Sequence, residues 1–372
     1  MLFAGGGTGG HVYPSLAIAE ALAADPSFAP LRLSYVGTRS GLEAQIVPKA
    51  GLPLAFISAA PLRRNPLALA RAALFNLMGV LQSLAILHRV RPDAVIATGG
   101  YVAFPLVAAV RIARLLRLTT ARAALLELNA VPGLANRMSA PLVDEIWLGV
   151  APRGRSLGRK ETVTGTPVRQ SFARDLGAEE ARAALGLAPN RPTVVVIGGS
   201  QGARRLNDAA AAMLADGVPG WQVLHVSGER EREVVERQEA PAVARGDAKV
   251  VGYLDDPRAA YAAADVMVAR AGASTLGELA AAGTPAILVP YPFAADDHQR
   301  HNAEALAATG AARVVADRDL DGARLFAELQ AALEPATLAA MRAAAARRRA
   351  GDARELIRAR VKRWRAANVP VP

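Results

Sequence analysis

Short runs of apolar residues recur along the whole chain, at Leu31–Val36, Ala94–Ala97, Ala123–Leu126, Glu145–Leu148, Thr193–Ile197, Gln222–Val226, Val266–Ala269 and Ala286–Val289. Each is too short for a helix and reads as a strand buried on both faces. Between them lie Ala-rich stretches with helical spacing, such as Pro14–Ala24 and Ala203–Leu214. Buried strands alternating with helices predict parallel sheets covered by helices on both faces. The periodicity lapses around Pro152–Gly165, where Gly, Arg and Pro are dense. Each side of that lapse opens alike. Leu2-Phe3-Ala4 runs into Gly5-Gly6-Gly7-Thr8-Gly9-Gly10, and Val194-Val195-Val196-Ile197 runs into Gly198-Gly199-Ser200-Gln201-Gly202, each followed by a helical pattern. The pattern therefore predicts an α/β chain of two Rossmann-like, doubly wound parallel-sheet domains facing a cleft, residues 1–158 and 159–339, with ligands at the carboxyl ends of both sheets. The first strand is short for its place, which leaves open a native start upstream of Met1.

Composition fits this picture. The chain has 372 residues, a comfortable length for two domains, and 52% of them are hydrophobic, enough for two cores. There is no cysteine, which excludes a disulfide scaffold and a thiolate nucleophile and fits a cytosolic setting, and no secretory signal is expected at the start. The net charge of +11 is unevenly placed. Nine Arg face one Asp between Arg63 and Arg122, and ten Lys/Arg face Asp352 and Glu355 between Arg342 and Arg365. Two basic segments suggest a polyanionic partner, either nucleic acid or an anionic membrane. The alternative is plain Arg-rich usage, which does not account for the clustering. Inside Pro66–Arg89, Ala72–Leu87 is uncharged for 16 residues. A spanning helix wants about 20 apolar residues, so this one is expected in the core or in a membrane interface, and the flanking Arg63, Arg64, Arg71, Arg89 and Arg91 favour the interface.

The chemistry gathers at the predicted strand ends. Glycine lets backbone N–H groups approach a ligand, and a helix start adds a positive dipole end. Gly5–Gly10 lacks the Lys of a P-loop, and neither Gly loop has the acidic residue of a dinucleotide site. His11 directly follows the first loop and can take a proton from a hydroxyl near neutral pH; a helix-capping or core histidine is the alternative. Thr98-Gly99-Gly100-Tyr101 should face the same edge. Asn129, in Glu127-Leu128-Asn129-Ala130-Val131-Pro132-Gly133, offers a donor and an acceptor suited to sugar hydroxyls or an acetamido group. Arg169 can pair with a diphosphate. Thr275-x-x-Glu278 reads either as a helix capping box or as a diphosphate-binding helix start with Glu278 on ribose hydroxyls. Asp296-Asp297-His298-Gln299 raises the question of a metal, but consecutive side chains diverge, so polar contact to a sugar is the expectation. Asp317-x-Asp319 resembles a metal-binding carboxylate pair and is discounted, because it precedes a helix, where carboxylates favour the dipole.

Taken together, Gly6-Gly7-Thr8-Gly9-Gly10-His11-Val12-Tyr13-Pro14, Asn129–Arg137, Gly198–Arg204 with Asn207, Ala271–Thr275 and Ala294–Gln299 resemble the MurG glycosyltransferases, in order, from residue 4 to about 315. Gly37-Thr38 with Gly41-Leu42-Glu43, and Gly99-Gly100-Tyr101, fit as well. The resemblance implies a GT-B fold whose C-terminal helix, about 340–372, packs back on the first domain. It also implies inverting transfer of N-acetylglucosamine from UDP-N-acetylglucosamine to the C4 hydroxyl of the muramyl sugar of lipid I, giving lipid II. No cofactor and no metal are expected. His11 is the implied base, with Glu127 a helper. Thr8, Gly9, Gly10, Tyr101, Asn129, Arg169, Ser200, Gln201, Leu254, Ala273, Ser274, Thr275, Leu276, Gly277, Glu278, His298 and Gln299 are the implied substrate contacts, Leu254 through its backbone to uracil. The implied setting is peripheral, at the cytoplasmic face of the inner membrane, with an anionic lipid surface and other cell-wall synthesis proteins as partners, and no nucleic acid. Leu128, Thr166 and Gly277 depart from the residues usual at their positions, and Leu128 puts an acceptor contact there in doubt. Rival readings are a GT-B enzyme with another lipid acceptor, a UDP-N-acetylglucosamine 2-epimerase, and a non-catalytic nucleic-acid or membrane module. Aromatic content of 5% weighs against the nucleic-acid module.

Overall fold

The computed structural model describes residues 1–62, 65–152, 156–158, 160–173, 176–198, 203–254, 256–348 and 352–367. The chain forms two compact units, Met1–Gln170 with Gly351–Pro372, and Ser171–Ala350.

The first unit holds strands β1 (Leu2–Ala4), β2 (Ser34–Gly37), β3 (Leu54–Phe56), β4 (Ala94–Ala97), β5 (Arg122–Glu127), β6 (Glu145–Leu148) and β7 (Glu161–Val163). Its helices are α1 (Gly9–Ala23), α2 (Glu43–Lys49), α3 (Pro66–Val90), α4 (Ala103–Leu115) and α5 (Leu134–Ser139). The strands form one parallel sheet in the order β3-β2-β1-β4-β5-β6-β7. This unit runs past residue 158 because β7 pairs with β6. The second unit opens with α6 (Ala178–Ala184) and then alternates β8 (Thr193–Ile197), α7 (Arg204–Leu214), β9 (Gln222–Val226), α8 (Arg232–Ala244), β10 (Ala248–Val251), α9 (Arg258–Ala263), β11 (Val266–Ala269), α10 (Ala273–Ala282), β12 (Ala286–Leu288), α11 (His298–Ala307) and β13 (Ala312–Val314), closing with α12 (Gly322–Leu333) and α13 (Pro335–Arg348). Its parallel sheet has the order β10-β9-β8-β11-β12-β13.

Both sheets reverse their winding once, between β1 and β4 and between β8 and β11. The crevice outside the carboxyl ends of such a strand pair is where an open α/β sheet takes its ligand. These four strands are almost wholly buried, which explains their unbroken apolar runs.

The last helix, α14 (Ala353–Ala367), belongs to the first unit and packs on α1. Trp364 stacks on Trp147 of β6 with ring centroids 5.8 Å apart. Glu145 ties the pair together: it accepts from Trp147 Nε1 at 2.9 Å, Trp364 Nε1 at 2.8 Å and Arg360 Nη1 at 2.8 Å. Burial pushes the Glu145 carboxyl up, but these donors outweigh burial and hold it below the usual carboxylate range. Arg358 pairs with Asp25 at 3.5 Å, Arg354 bonds Asp352 at 3.0 Å, and Arg342 pairs with Asp265. Much of the second basic segment is thus matched inside the fold, which weakens the inference of a polyanionic partner from that segment.

Helix α3 starts at Asn65, whose side chain accepts from the N–H groups of Leu67 and Ala68, with Pro66 at its first position. Ala72, Gly79, Val80, Ser83, Ile86 and Leu87 are buried against the unit. A Cβ at Gly79 would collide with the Ser58 carbonyl and press on Pro105 of α4. Leu74, Leu77, Met78 and Leu81, at i, i+3, i+4 and i+7, line the other face and are exposed, Leu81 by 60%. Of the two alternatives, a core helix and an interfacial one, the plain core helix does not fit, since only one face is covered.

Candidate active site

In the first unit the Gly5–Gly10 loop leaves β1 and enters α1. Gly7 turns at φ +87°, a backbone conformation that favours glycine. Thr8 stands at the N-cap position, exposed and with no capping bond from its side chain. His11 lies in the first turn of α1, and its Nδ1 sits 2.8 Å from the carbonyl oxygen of Thr98. A carbonyl only accepts, so Nδ1 carries the proton and the lone pair of the neutral ring is on Nε2. Gly99 and Gly100 both have positive φ and make room for the ring: a Cβ on Gly99 would stand 3.0 Å from His11 Cε1 and Nδ1, and one on Gly100 3.3 Å from Cδ2. The third Gly turn therefore seats the imidazole. Behind it, Thr98 Oγ1 donates to the His11 carbonyl at 2.7 Å, Ser15 Oγ lies 2.6 Å from Thr98 Oγ1, and Tyr35 OH donates to the Gly5 carbonyl at 2.8 Å. Burial raises the Tyr35 phenol above its ordinary value, so it remains a donor. Tyr101 covers Gly7, and a Cβ there would meet its ring at 3.1 Å.

Arg169 belongs to this unit, and its guanidinium lies 4.4 Å from the centroid of the Tyr13 ring. The same ring packs on Gly9. Loop glycine, tyrosine and arginine thus form one stack beside the His11 turn. Asn129 is half-buried and donates to Glu127 Oε1 at 3.1 Å.

The helper role expected of Glu127 does not match its placement. Glu127 is 1% exposed, and its oxygens accept from Asn129 N, Asn129 Nδ2, Gly133 N and Asn136 Nδ2 at 2.8–3.1 Å. Enclosed by donors of its own loop, it shapes the Asn129–Gly133 turn and has no open face for an incoming hydroxyl. Leu128 is buried too, in keeping with the doubt about an acceptor contact there.

In the second unit Gly198 ends the described part of its loop, and Ser200 and Gln201 lie outside the described residues. Asn207, on α7 beyond that loop, is committed to the core: it donates to the Ser227 carbonyl and accepts from His225, which bonds Glu239. At the β11 end, Gly272 is the N-cap of α10, with φ −67° and no side-chain capping bond. The capping-box reading is thereby removed, because Thr275 and Glu278 both lie inside the helix. Ala273, Ser274 and Thr275 form its first turn, whose N–H groups have no partner within the helix. The Ser274 hydroxyl is buried there without a hydrogen-bond partner. Leu276 and Gly277 behave otherwise. Both are buried, and Leu276 gives its N–H to the Gly272 carbonyl.

Glu278 is half-buried and accepts from the Tyr261 hydroxyl at 2.7 Å. Burial, and then the Glu278 charge, raise that phenol well above its ordinary value, so it stays a donor and fixes the carboxylate. Gln299 Oε1 accepts from Ala271 N at 3.2 Å and Tyr291 N at 3.0 Å, so its amide oxygen joins the loops after β11 and β12. Asp296 and Asp297 both stand at positive φ, +50° and +53°, directly before His298 and Gln299. Such consecutive left-handed non-glycine residues store strain, a mark of functional loops. The loop is curled after all, yet among the described residues no group of three or more His, Asp or Glu is placed to hold a metal ion. Asp317 pairs with Arg270 at 2.6 Å, and the same Arg270 side chain reaches the Val289 and Pro290 carbonyls. Leu254 is half-buried in the loop after β10.

Sequence reasoning had no role for Tyr35, Ser15, Glu43 or Tyr261. Glu43 lay within a noted stretch but carried no sign of burial. Tyr261 had no local signal at all, since its partner is 17 residues away.

Comparison with known proteins matches this architecture unit by unit. Residues 1–147 match the glycosyltransferase family 28 N-terminal domain and residues 193–357 its C-terminal domain. The chain is 37% identical over 347 residues to the UDP-N-acetylglucosamine–N-acetylmuramyl-(pentapeptide) pyrophosphoryl-undecaprenol N-acetylglucosamine transferase of Caldanaerobacter subterraneus subsp. tengcongensis, covering 92% of this chain and 93% of the relative. It is 40% identical to the Desulforudis audaxviator protein of the same name, covering 92% of each. Among solved structures it is similar to Acinetobacter baumannii MurG, with a TM-score of 0.77 and 26% identity over 97% of this chain and 99% of that one. With this coverage in both units, the chain belongs to the MurG family of glycosyltransferases.

Proposed function

We propose that this glycosyltransferase moves N-acetylglucosamine from UDP-N-acetylglucosamine to the C4 hydroxyl of the muramyl sugar of lipid I, with inversion, making lipid II for peptidoglycan. The observation that carries the reading is the His11 tautomer. A histidine at the β1/β4 reversal, with its Nδ1 proton committed to the Thr98 carbonyl, carries its lone pair on Nε2. His11 accepts the hydroxyl proton as the oxygen attacks the anomeric carbon and UDP departs on the opposite side. In the second unit, the first turn of α10 receives the diphosphate on its N–H groups and dipole. Glu278, fixed by Tyr261, takes the ribose hydroxyls, the Leu254 backbone takes the uracil, and Gln299 Nε2 and His298 take sugar hydroxyls. Thr8, Gly9, Gly10, Tyr101 and Asn129 line the first unit's site, and Arg169 on Tyr13 is the cation assigned to a diphosphate. No metal is required in this scheme, because N–H groups and arginine supply the positive charge.

The enzyme works on a membrane surface. The exposed leucines of α3, with exposed Ile112, Leu115, Leu116 and Leu118 at the end of α4 and Arg71, Arg89, Arg111 and Arg117 around them, suit an interface of apolar lipid and anionic headgroups. The setting proposed for the enzyme is the cytoplasmic face of the inner membrane. Neighbouring cell-wall enzymes are partners on the same surface.

The test follows radiolabel from UDP-N-acetylglucosamine. Label appearing in lipid II on addition of lipid I supports the reading. Conversion of the donor without acceptor points to an epimerase, and transfer only to other lipids points to a different acceptor.

A further inference from the structure

One ionisable group next to the site takes no part in the chemistry above. Glu43, the first residue of α2, is fully buried beneath the Gly5–Gly10 loop. Its Oε2 accepts from Gly7 N at 3.1 Å, and its Oε1 accepts from Thr38 N at 2.9 Å and Thr38 Oγ1 at 2.7 Å. Among the described residues no cation pairs with it. Glycines surround it: a Cβ on Gly6 would lie 2.6 Å from its carboxyl carbon, one on Gly37 2.6 Å from its Cγ, and one on Gly41 would overlap its oxygens. These glycines leave the space that the carboxylate fills.

A carboxylate without a counter-cation is costly to bury. Here it is retained with its oxygens directed at the N–H of the one loop residue that turns through positive φ. Gly7 precedes Thr8, Gly9 and Gly10, and then His11. Tyr35 holds the Gly5 carbonyl from the same side. The loop is therefore clamped at one end through an acceptor and at the other through a donor.

We propose that Glu43 is a positioning residue for the transfer reaction: its carboxylate fixes the Gly7 turn and thereby the placement of His11 against the acceptor hydroxyl. The inference rests on the proposed transfer, and its test has one arm that needs no substrate. Glu43→Gln keeps the shape, but its amide nitrogen cannot accept, so either Gly7 or Thr38 loses its partner. The expected result is a fall in kcat with lipid I of about 10- to 100-fold, the cost of slightly misplacing a reacting group. The KM for UDP-N-acetylglucosamine and the affinity for UDP should stay within about twofold of wild type, because the second unit is untouched. By hydrogen–deuterium exchange, the Gly7–His11 amides should exchange faster in the variant while the β4 and β5 amides do not. Thr38→Val, which removes only one donor to the carboxylate, should shift both readouts in the same direction by less, and it serves if Glu43→Gln does not fold. Wild-type kcat with unchanged loop exchange in either variant overturns the proposal. So does a loss of turnover that merely follows the folded fraction and lowers UDP binding in proportion. If the wild-type enzyme transfers no label to lipid I, the functional reading fails, while the exchange arm still decides whether Glu43 holds the loop.

Discussion

The Gly5–Gly10 loop of the first unit follows β1 and the Ala271–Glu278 turn of the second follows β11, each a strand of the pair where its sheet reverses. They commit their polar groups in opposite ways. The first is bound from below: Tyr35 takes the Gly5 carbonyl, Glu43 takes Gly7 N–H, and the Thr98 carbonyl takes the Nδ1 proton of His11. The second has no capping side chain on α10, a buried Ser274 hydroxyl with no partner among the described residues, and a Gln299 amide oxygen that accepts from Ala271 N and Tyr291 N. Holding the Gly7 turn and the His11 ring from below places a side chain, whereas a helix start whose first N–H groups have no partner within the helix suits an anion. In the proposed scheme the first loop serves proton transfer and the start of α10 serves diphosphate binding.

The sharpest way to break this contrast is at His11. Replacing it with Ala should lower kcat by about 10²–10⁴-fold, the range for loss of a general base, with UDP affinity unchanged by calorimetry. Activity near wild type would remove His11 from the chemistry, and a parallel loss of UDP binding would dissolve the division of labour. Next in size is Glu278→Ala, which should raise the KM for UDP-N-acetylglucosamine by about 10- to 100-fold, in line with roughly 1.5–3 kcal/mol for hydrogen bonds to a charged group. The KM for lipid I should hold, and a 2′-deoxyribose donor should discriminate poorly between variant and wild type.

A third comparison sets the exposed face of α3 against its buried one. Leu77→Gln with Leu81→Gln should weaken flotation with anionic vesicles by about tenfold, given about 1.5–3 kcal/mol for fully burying one leucine and only partial insertion in an interface. Turnover on a detergent-free, short-chain acceptor should not change. Smallest is an effect of acid on the first unit. The folded Glu145 carboxyl lies below its unfolded value of 4.5, so its stabilisation is present above that pH and is lost as pH falls through the folded value. Thermal unfolding followed by tryptophan fluorescence should show Tm dropping below about pH 4.5, and Glu145→Gln should flatten that part of the profile.

How far the fold could be read in advance depended on burial. Strands Ala94–Ala97, Glu145–Leu148, Thr193–Ile197, Gln222–Val226 and Val266–Ala269 have the bounds their apolar runs suggest, because they lie inside their sheets. β3, β7, β10 and β13 went unread. They are the edge strands, short and half-covered, so Glu161, Lys249 and Arg313 interrupt their apolar runs. Helix α1 begins at Gly9, ahead of the stretch expected from Pro14, because sequence pattern discounts glycines that the loop geometry carries into a helix. In the site, residue types were legible and their partners were not. Glu127 reads as an acid or base until its four donors are seen, and Thr275-x-x-Glu278 reads as a cap until Gly272 is found at the helix start. Which group a carboxylate faces is decided by tertiary placement.

The docking of α14 on β6 bears on the order in which the chain takes shape during synthesis. Ser171–Ala350 is continuous in sequence, whereas the first unit draws its last helix from beyond it. Emerging from the ribosome, residues 1–170 lack the partners of Trp147 and Glu145, while the second unit already has all its strands once residue 350 is out. The half of the enzyme translated first is completed last. A nascent chain arrested before Ala353 should therefore resist protease in its second unit and remain cleavable in its first.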